Sequence, residues 1–235
     1  MPATKTTPTA KNILELRQIS KRYDDEAGKL QALSKVSLVI KEGDFVAIMG
    51  PSGSGKSTLM NIIGLLDLPT SGEYLLHGED ISQADDRKLA HLRRDTIGFV
   101  FQAFNLLPRF NVLENVQLPL MYKGVKASER RARARQVLAS VGLESKLKNK
   151  PSQLSGGQVQ RAAIARALIN KPPIILADEP TGNLDSKTSR EIMDLLGELN
   201  KKGTTIVIVT HDANVAAYAR KIVRILDGHA TETQS

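Results

Sequence analysis

The chain has 235 residues, 41% of them hydrophobic and only 4% aromatic, with no cysteine and no tryptophan. That length can bury a sizeable core and accommodates one large α/β domain with a smaller appendage, while the missing cysteines exclude disulfides and cysteine-ligated metal clusters and leave the redox compartment open. The formal net charge of +8, from 33 Lys+Arg against 25 Asp+Glu, has the sign that suits nucleic acid or an anionic membrane surface, but charge alone does not identify a partner.

In chain order, residues 1–11 are polar, with threonines and prolines and no apolar run of the kind a secretory leader carries, and are expected to form a disordered tail. Apolar runs rich in β-branched residues predict strands over Ile13 to Leu16, Val36 to Ile40, Phe45 to Met49, Gly72 to Leu76, Ile97 to Phe101, Ile174 to Ala177, Thr204 to Val209 and Ile222 to Leu226. Helical patterns alternate with them. Thr58 to Ile63 reads as a helix, and Lys187 to Leu199 carries Ile192, Leu195, Leu196 and Leu199 at helical spacing before Gly203 turns the chain into the next strand. Such alternation predicts an α/β fold with a mainly parallel sheet. Between Gln102 and Lys171 strand signals vanish, so a helical insertion is expected over about 103–171, with an apolar pattern at Val137, Leu138, Val141 and Leu143. Its cationic cluster, Arg130, Arg131, Arg133 and Arg135, has no interleaved aromatics and reads as a solvated helix face, with no nucleic-acid partner. Residues 229–235 are expected to be a C-terminal tail. No apolar stretch approaches the ~20 residues of a membrane span, which places the chain in the cytoplasm as an expectation.

Three segments carry chemistry. Gly50, Pro51, Ser52, Gly53, Ser54, Gly55, Lys56 and Ser57 complete the pattern G-x-x-x-x-G-K-[ST], followed by Thr58, between a strand and a helix. Glycines let the backbone wrap a polyphosphate with its N–H groups, the helix start adds unpaired donors, Lys56 supplies charge to the β- and γ-phosphates, and the Ser57 hydroxyl is placed for Mg²⁺. The plainer alternative, a Gly/Ser-rich surface turn with an incidental lysine, does not account for the flanking strand and helix. The second segment is the strand Ile174 to Ala177, which ends in Asp178 and Glu179 before Pro180 stops it. Asp178 is placed for Mg²⁺ or its water shell and Glu179 for polarising an attacking water, although acidic residues after a strand are common in themselves. Third, Leu154, Ser155, Gly156, Gly157 and Gln158 open a second helix at a Ser/Gly turn, either as an anion-binding N-terminus or as an ordinary cap by Ser155.

That pentapeptide, with the phosphate loop upstream and Asp178-Glu179 downstream, resembles the signature of the ATP-binding cassette (ABC) ATPases. The resemblance runs from Ile13 to Gly228 and implies a nucleotide-binding domain over 12–228: a P-loop NTPase core with an antiparallel β subdomain and a helical insertion subdomain. It implies ATP and Mg²⁺ as cofactors. Gln102 resembles the family's Q-loop glutamine, next to Mg²⁺ and the attacking water, and Asn183-Leu184-Asp185 resembles the D-loop. His211 resembles the switch histidine on the γ-phosphate, and Tyr23 resembles the aromatic that stacks on adenine, against the plainer reading of a strand-edge tyrosine.

Finer wording, Phe101 to Pro108, Val112 to Val116 and Ala177 to Asp185, is similar to ATPases of the macrolide-exporter and lipoprotein-releasing type, while Val159, Ala162 and Phe110-Asn111 depart mildly from the usual pattern. What this implies is a homodimer formed on ATP binding, each nucleotide held between Lys56 of one subunit and Ser155-Gly156-Gly157 of the other. It also implies an integral membrane permease with an extracytoplasmic domain, a periplasmic adaptor beyond it, and a cytoplasmic position on the inner face of the cell membrane. Two alternatives remain: a cell-division-type cassette controlling cell-wall hydrolases, and a soluble cassette acting on nucleic acid, ribosomes or iron–sulfur assembly, the last disfavoured by the lack of a coiled-coil insertion, a second cassette and cysteine.

Overall fold

A computed structural model describes residues 11–25 and 28–234. The chain opens with two long strands, β1 (Asn12–Asp25) and β2 (Gly28–Lys41), then runs through β3 (Phe45–Met49), α1 (Lys56–Ile63), β4 (Ser71–Leu76), β5 (Glu79–Asp80), α2 (Asp86–Thr96) and β6 (Ile97–Phe101). An all-helical stretch follows with α3 (Val112–Tyr122), α4 (Ala127–Ser140), two short 3₁₀ turns and α5 (Gly156–Leu168). The chain closes with β7 (Ile174–Asp178), α6 (Ser186–Lys201), β8 (Thr205–Val209), α7 (Ala213–Ala216), β9 (Lys221–Leu226) and β10 (His229–Gln234).

Two sheets result. The first, in the order β2-β1-β4-β5, is antiparallel throughout. The second, in the order β10-β9-β3-β8-β7-β6, is parallel except for β10, which pairs antiparallel with β9. The central strands β3, β7 and β8 read as unbroken Ile/Val/Ala runs because both of their faces are covered. Alternation along them divides the interior into two cores. Val46, Ile48, Leu176, Val207 and Val209 pack with Leu59, Ile62 and Ile63 of α1 and with the apolar face of β1 and β2. Phe45, Ala47, Ile175, Ala177, Ile206 and Ile208 pack instead with residues of α3, α4, α5 and α6.

The structure departs from the sequence reading in identifiable places. Residues 1–10 of the expected tail lie outside the described residues, whereas the Lys11 carbonyl already accepts from the Glu42 N–H at 2.9 Å, tying that end to the sheet. The expected tail after Gly228 is a strand. Asp227 (φ +48°) and Gly228 (φ +75°) form the tight turn that returns β10 onto β9, and Asp-Gly is favoured there because both central residues need positive φ. Strand β1 continues well past Leu16, but register shifts at Leu16/Ile19 and Ile19/Lys21 break the alternation that would have extended the prediction. Helix α2 also lacks a sequence signal, since it buries only Leu89 and Thr96; it is set by Asp85, whose side chain caps the Lys88 N–H. Within 103–171 the described elements are all helical, and Asn115, fully buried, donates to the carbonyls of Leu107, Phe110 and Asn111 and accepts from the Leu107 N–H, which pins the loop entering α3.

Candidate functional site

The phosphate loop lies between the end of β3 and the start of α1, and two of its glycines are demanded by close approach. A Cβ on Gly50 would lie 2.2 Å from the Ile225 carbonyl oxygen, and one on Gly55, at φ +107°, would lie 2.5 Å from that of Ala32. Helices α2, α3, α5 and α6 are each capped by a side chain, from Asp85, Asn111, Ser155 and Asp185, but α1 has Gly55 at that position and no side-chain cap. Its first-turn N–H groups, which have no intrahelical acceptor in any helix, therefore also lack the side-chain acceptor present at α2, α3, α5 and α6, an arrangement shared with α4, and here they lie at the phosphate loop where they can bind an anion. The Ser54 hydroxyl is buried without a hydrogen-bond partner among the described residues, and Lys56 Nζ, without a carboxylate within bonding reach there, donates to the Pro51 carbonyl at 2.7 Å. A cavity of 510 Å³ opens in front, lined by Ser52, Gly53, Gly55, Lys56, Ser57 and Thr58 from the loop, and by Tyr23, Leu30 and Gln31 opposite. Gly50, Pro51 and Ser54 do not line it. A chain of free amides with one ammonium fits a polyphosphate.

Strand β7 delivers Asp178 and Glu179 beside this loop. Asp178 is held above the usual carboxylate range by burial and then by the neighbouring Glu179 charge, against the opposing pull of Lys56. Glu179 takes a left-handed backbone, φ +41°, fixed by its N–H bond to the Val209 carbonyl at 2.9 Å. Its Oε2 accepts from the Thr210 hydroxyl at 3.1 Å, and its Oε1 accepts from the His211 N–H at 3.1 Å and lies 2.7 Å from His211 Nδ1. Gln102, at the end of β6, bonds reciprocally with Asn183: Nε2 to Asn183 Oδ1 at 3.4 Å, and Asn183 Nδ2 to the Gln102 carbonyl at 3.0 Å. Gln102, Glu179 and His211 thus share a second cavity, of 660 Å³, to which Lys56 and Ser57 do not contribute.

For a divalent ion, the hydroxyl of Ser57, the carboxylate of Asp178 and the amide oxygen of Gln102 are hard oxygen donors of the kind Mg²⁺ takes. Among the described residues no group of three or more His, Cys, Asp or Glu could hold a metal on its own.

The remaining expected contacts lie elsewhere. Ser155 caps α5 in a reciprocal box, its Oγ accepting from the Gln158 N–H at 3.4 Å while its own N–H donates to Gln158 Oε1 at 3.1 Å. Gly157 is required by packing, since a Cβ there would be 2.4 Å from Thr188 Cγ2. Asp185 is occupied in capping α6 through the N–H groups of Lys187 and Thr188 and the Thr188 hydroxyl. Ser155, Gly156, Gly157, Gln158 and Asp185 line neither cavity. Sequence reasoning missed Thr210 and Asn183 as partners of Glu179 and Gln102. It also missed Gln160, fully buried in α5, whose Nε2 donates to the Pro180 carbonyl at 2.6 Å, and Arg166, whose guanidinium donates to the Phe104 and Asn105 carbonyls after Gln102. Usable signals existed for Thr210, adjacent to His211 at a strand end, and for Asn183, within the segment that resembles the D-loop.

Comparison with known proteins agrees with this geometry. The family model described as ABC transporter matches residues 33–182. An uncharacterised ABC transporter ATP-binding protein of Thermotoga maritima is 54% identical over 218 residues, 93% of this chain and 93% of that protein. The macrolide export ATP-binding/permease protein MacB of Marinobacter nauticus is 50% identical over 220 residues, 94% of this chain but only 34% of that longer protein. Among solved structures, the dimeric cassette MJ0796 matches with a TM-score of 0.85 and 52% identity, over 94% of this chain and 98% of that one, and the same cassette is known as a post-hydrolysis dimer with ADP and Pi; MJ0796 comes from Methanocaldococcus jannaschii. With a complete phosphate loop, an uncapped helix start and an oriented carboxylate beside them, the chain belongs to the ATP-binding proteins of ABC transporters, the ATPases that bind ATP with Mg²⁺ and hydrolyse it.

Proposed function

We propose that this chain works as a homodimer around two MgATP molecules and drives a separate membrane permease. The observation that carries the reading is the separation within one chain: the Ser155-Gly156-Gly157 turn that opens α5 lies outside the phosphate-loop cavity, so a nucleotide bound by Lys56 meets such a turn only where a second copy supplies it. The dimeric state of MJ0796 supports the same arrangement.

In each site Lys56 and the first-turn amides of α1 hold the β- and γ-phosphates, and Tyr23 stacks on the base. Ser57, Asp178 and Gln102 would hold Mg²⁺, which neutralises phosphate charge when bound. Glu179 accepts a proton from the attacking water as its oxygen bonds to the γ-phosphorus and the bond to the ADP oxygen breaks. Thr210 and His211 orient that carboxylate, with His211 also placed to reach the γ-phosphate. Ser155, Gly156, Gly157 and Gln158 of the second copy cover the triphosphate, with Asp185 nearby.

The permease belongs to the reading through an apolar groove of 630 Å³ between α2, β6 and α3, lined by Leu66, Phe99, Phe101, Leu118 and Tyr122; Tyr122 is 80% exposed. No helix among the described residues is long and apolar enough to cross a membrane; in this reading a separate permease supplies the membrane-spanning part that the ATP-binding/permease protein MacB, as its name says, carries in one chain. The chain then sits on the cytoplasmic face of the membrane. Export, lipoprotein release or mechanotransmission fits this placement, and an adaptor beyond the membrane completes the exporter version. Replacing Glu179 by Gln tests the chemistry: ATP turnover should fall by about two orders of magnitude or more while MgATP binding persists, and turnover at the wild-type rate would remove Glu179 from its role.

A further inference from the structure

Tyr23 is restrained more than a base-stacking aromatic requires. Its hydroxyl donates to Asp67 Oδ2 at 2.9 Å. The other oxygen, Asp67 Oδ1, accepts from Lys21 Nζ at 2.6 Å and from the Leu68 N–H at 2.8 Å, and Lys21 Nζ also donates to the Leu68 carbonyl at 2.8 Å. The same ammonium lies 5.0 Å from the centroid of the Tyr23 ring. Rim and one face of the ring are therefore both fixed by one ion pair, in which Lys21 is only 13% exposed. Asp67 is itself anchored to the phosphate-loop helix, since its N–H reaches the Asn61 carbonyl at 3.3 Å. The Tyr23 ring remains 36% exposed and lines the cavity of Lys56, Ser57 and Thr58.

We infer that Lys21 and Asp67 are positioning residues that hold the Tyr23 ring as a preformed platform for the purine base, and so set affinity for the base separately from affinity for the triphosphate. The inference rests on the reading of Tyr23 as the base-stacking residue. A ring free to change rotamer must be ordered when the base arrives, whereas one already pinned adds its stacking energy without that loss. Lys21 occupies one face as a cation over the ring, and the base takes the other. Anchoring through Asp67 also ties the platform to α1, so the distance between base and phosphates is kept by one rigid helix. The Tyr23 hydroxyl also meets the Thr58 side chain on the phosphate-loop side, whereas the Lys21 and Asp67 side chains make their contacts with Tyr23, with each other and with the Leu68 backbone.

Equilibrium binding of MgATP and of Mg-tripolyphosphate, a ligand with the phosphates and no base, to the purified full chain and its variants separates the terms. Asp67→Ala and Tyr23→Phe should each weaken ATP by roughly three- to tenfold, the loss expected when one side chain has to be ordered on binding, and leave tripolyphosphate unchanged. The double variant should be no weaker than the weaker single one, because both remove the same restraint. Tyr23→Phe deletes only a hydroxyl, with its bonds to Asp67 and Thr58, and Asp67→Asn, which keeps the side-chain volume, keeps the test available if Asp67→Ala fails to fold. Equal losses for ATP and tripolyphosphate would mean that Asp67 merely supports the loop, and ATP affinity unchanged in both single variants would show that the restraint does not matter; either result overturns the proposal. If Tyr23→Ala also left ATP affinity unchanged, the failure would lie in the stacking role of Tyr23 itself.

Discussion

Glu179 combines a non-glycine left-handed backbone with three contacts to its carboxylate from Thr210 and His211. Such a backbone costs on the order of 1–3 kcal/mol and persists where the surroundings over-determine it. Thr210→Val removes one of the two side-chain contacts to this carboxylate, together with the bond that the Thr210 hydroxyl accepts from the Asp212 N–H, and should lower kcat by about tenfold with little change in KM, as expected when a general base is kept but loosened; steady-state kinetics over an ATP titration check it. Lys56→Ala acts differently and should weaken MgATP binding itself, read by calorimetry. Lys56, Asp178 and Glu179 were legible in the sequence because their chemistry fixes residue type and spacing. Asp67 was not, because a carboxylate in a loop after a helix has no pattern of its own, and its partners stand on a strand far away in the chain. Its state has a consequence with pH. Although burial would raise it, hydrogen bonds from Lys21, Tyr23 and the Leu68 N–H hold the Asp67 carboxyl below the ordinary 3.8. The unfolded chain takes up that proton first, so the stabilisation is present above about pH 4 and is lost as pH falls through the lower folded value. Asp67→Asn should accordingly show a smaller drop in Tm than the wild type between pH 5 and 3 in thermal melts.

At the scale of elements, the difference between α1 and its neighbours is what a single residue does at the N-cap. Asp85, Asn111, Ser155 and Asp185 close the starts of α2, α3, α5 and α6, Lys126 leaves α4 without a side-chain cap, and Gly55 leaves α1 open where the phosphate loop can bring a ligand to it. Asn111→Ala should cost about 1 kcal/mol, the usual worth of a cap, measurable as a fall in denaturation midpoint with ATP affinity unchanged. Gly55→Ala should be far worse for binding than for folding: the added Cβ meets the Ala32 carbonyl at 2.5 Å in a backbone conformation that L side chains rarely adopt, so the loop must shift. Strands β3 and β6 were readable from their apolar runs, and α6 from its helical spacing. The elements that escaped were those whose stability is borrowed. Polar α2 is held by its cap and by Leu89, the bulged half of β1 by pairing to β2 and β4, and β10 by a turn of two residues.

In the proposed dimer one chain contributes two unlike halves, each to a different shared site. Alternating residues of the central strands put α1 on one face and α3, α4, α5 and α6 on the other, and the phosphate loop opens on a cavity that the Ser155 helix start does not line. The resemblance carried by the motifs already implied that the two halves come from different subunits, and the separation of the Ser155 turn from the phosphate-loop cavity supports that reading. Mixing a Lys56→Ala chain with a Ser155→Arg chain should then confine both lesions to one shared site and restore ATP binding at the other, which neither homodimer shows. The most direct measurement uses the Glu179→Gln protein, in which bound ATP persists, in size-exclusion chromatography with light scattering. A dimer in saturating MgATP and a monomer in MgADP or without nucleotide are expected, and a monomer carrying one MgATP per chain at saturation would contradict the shared site.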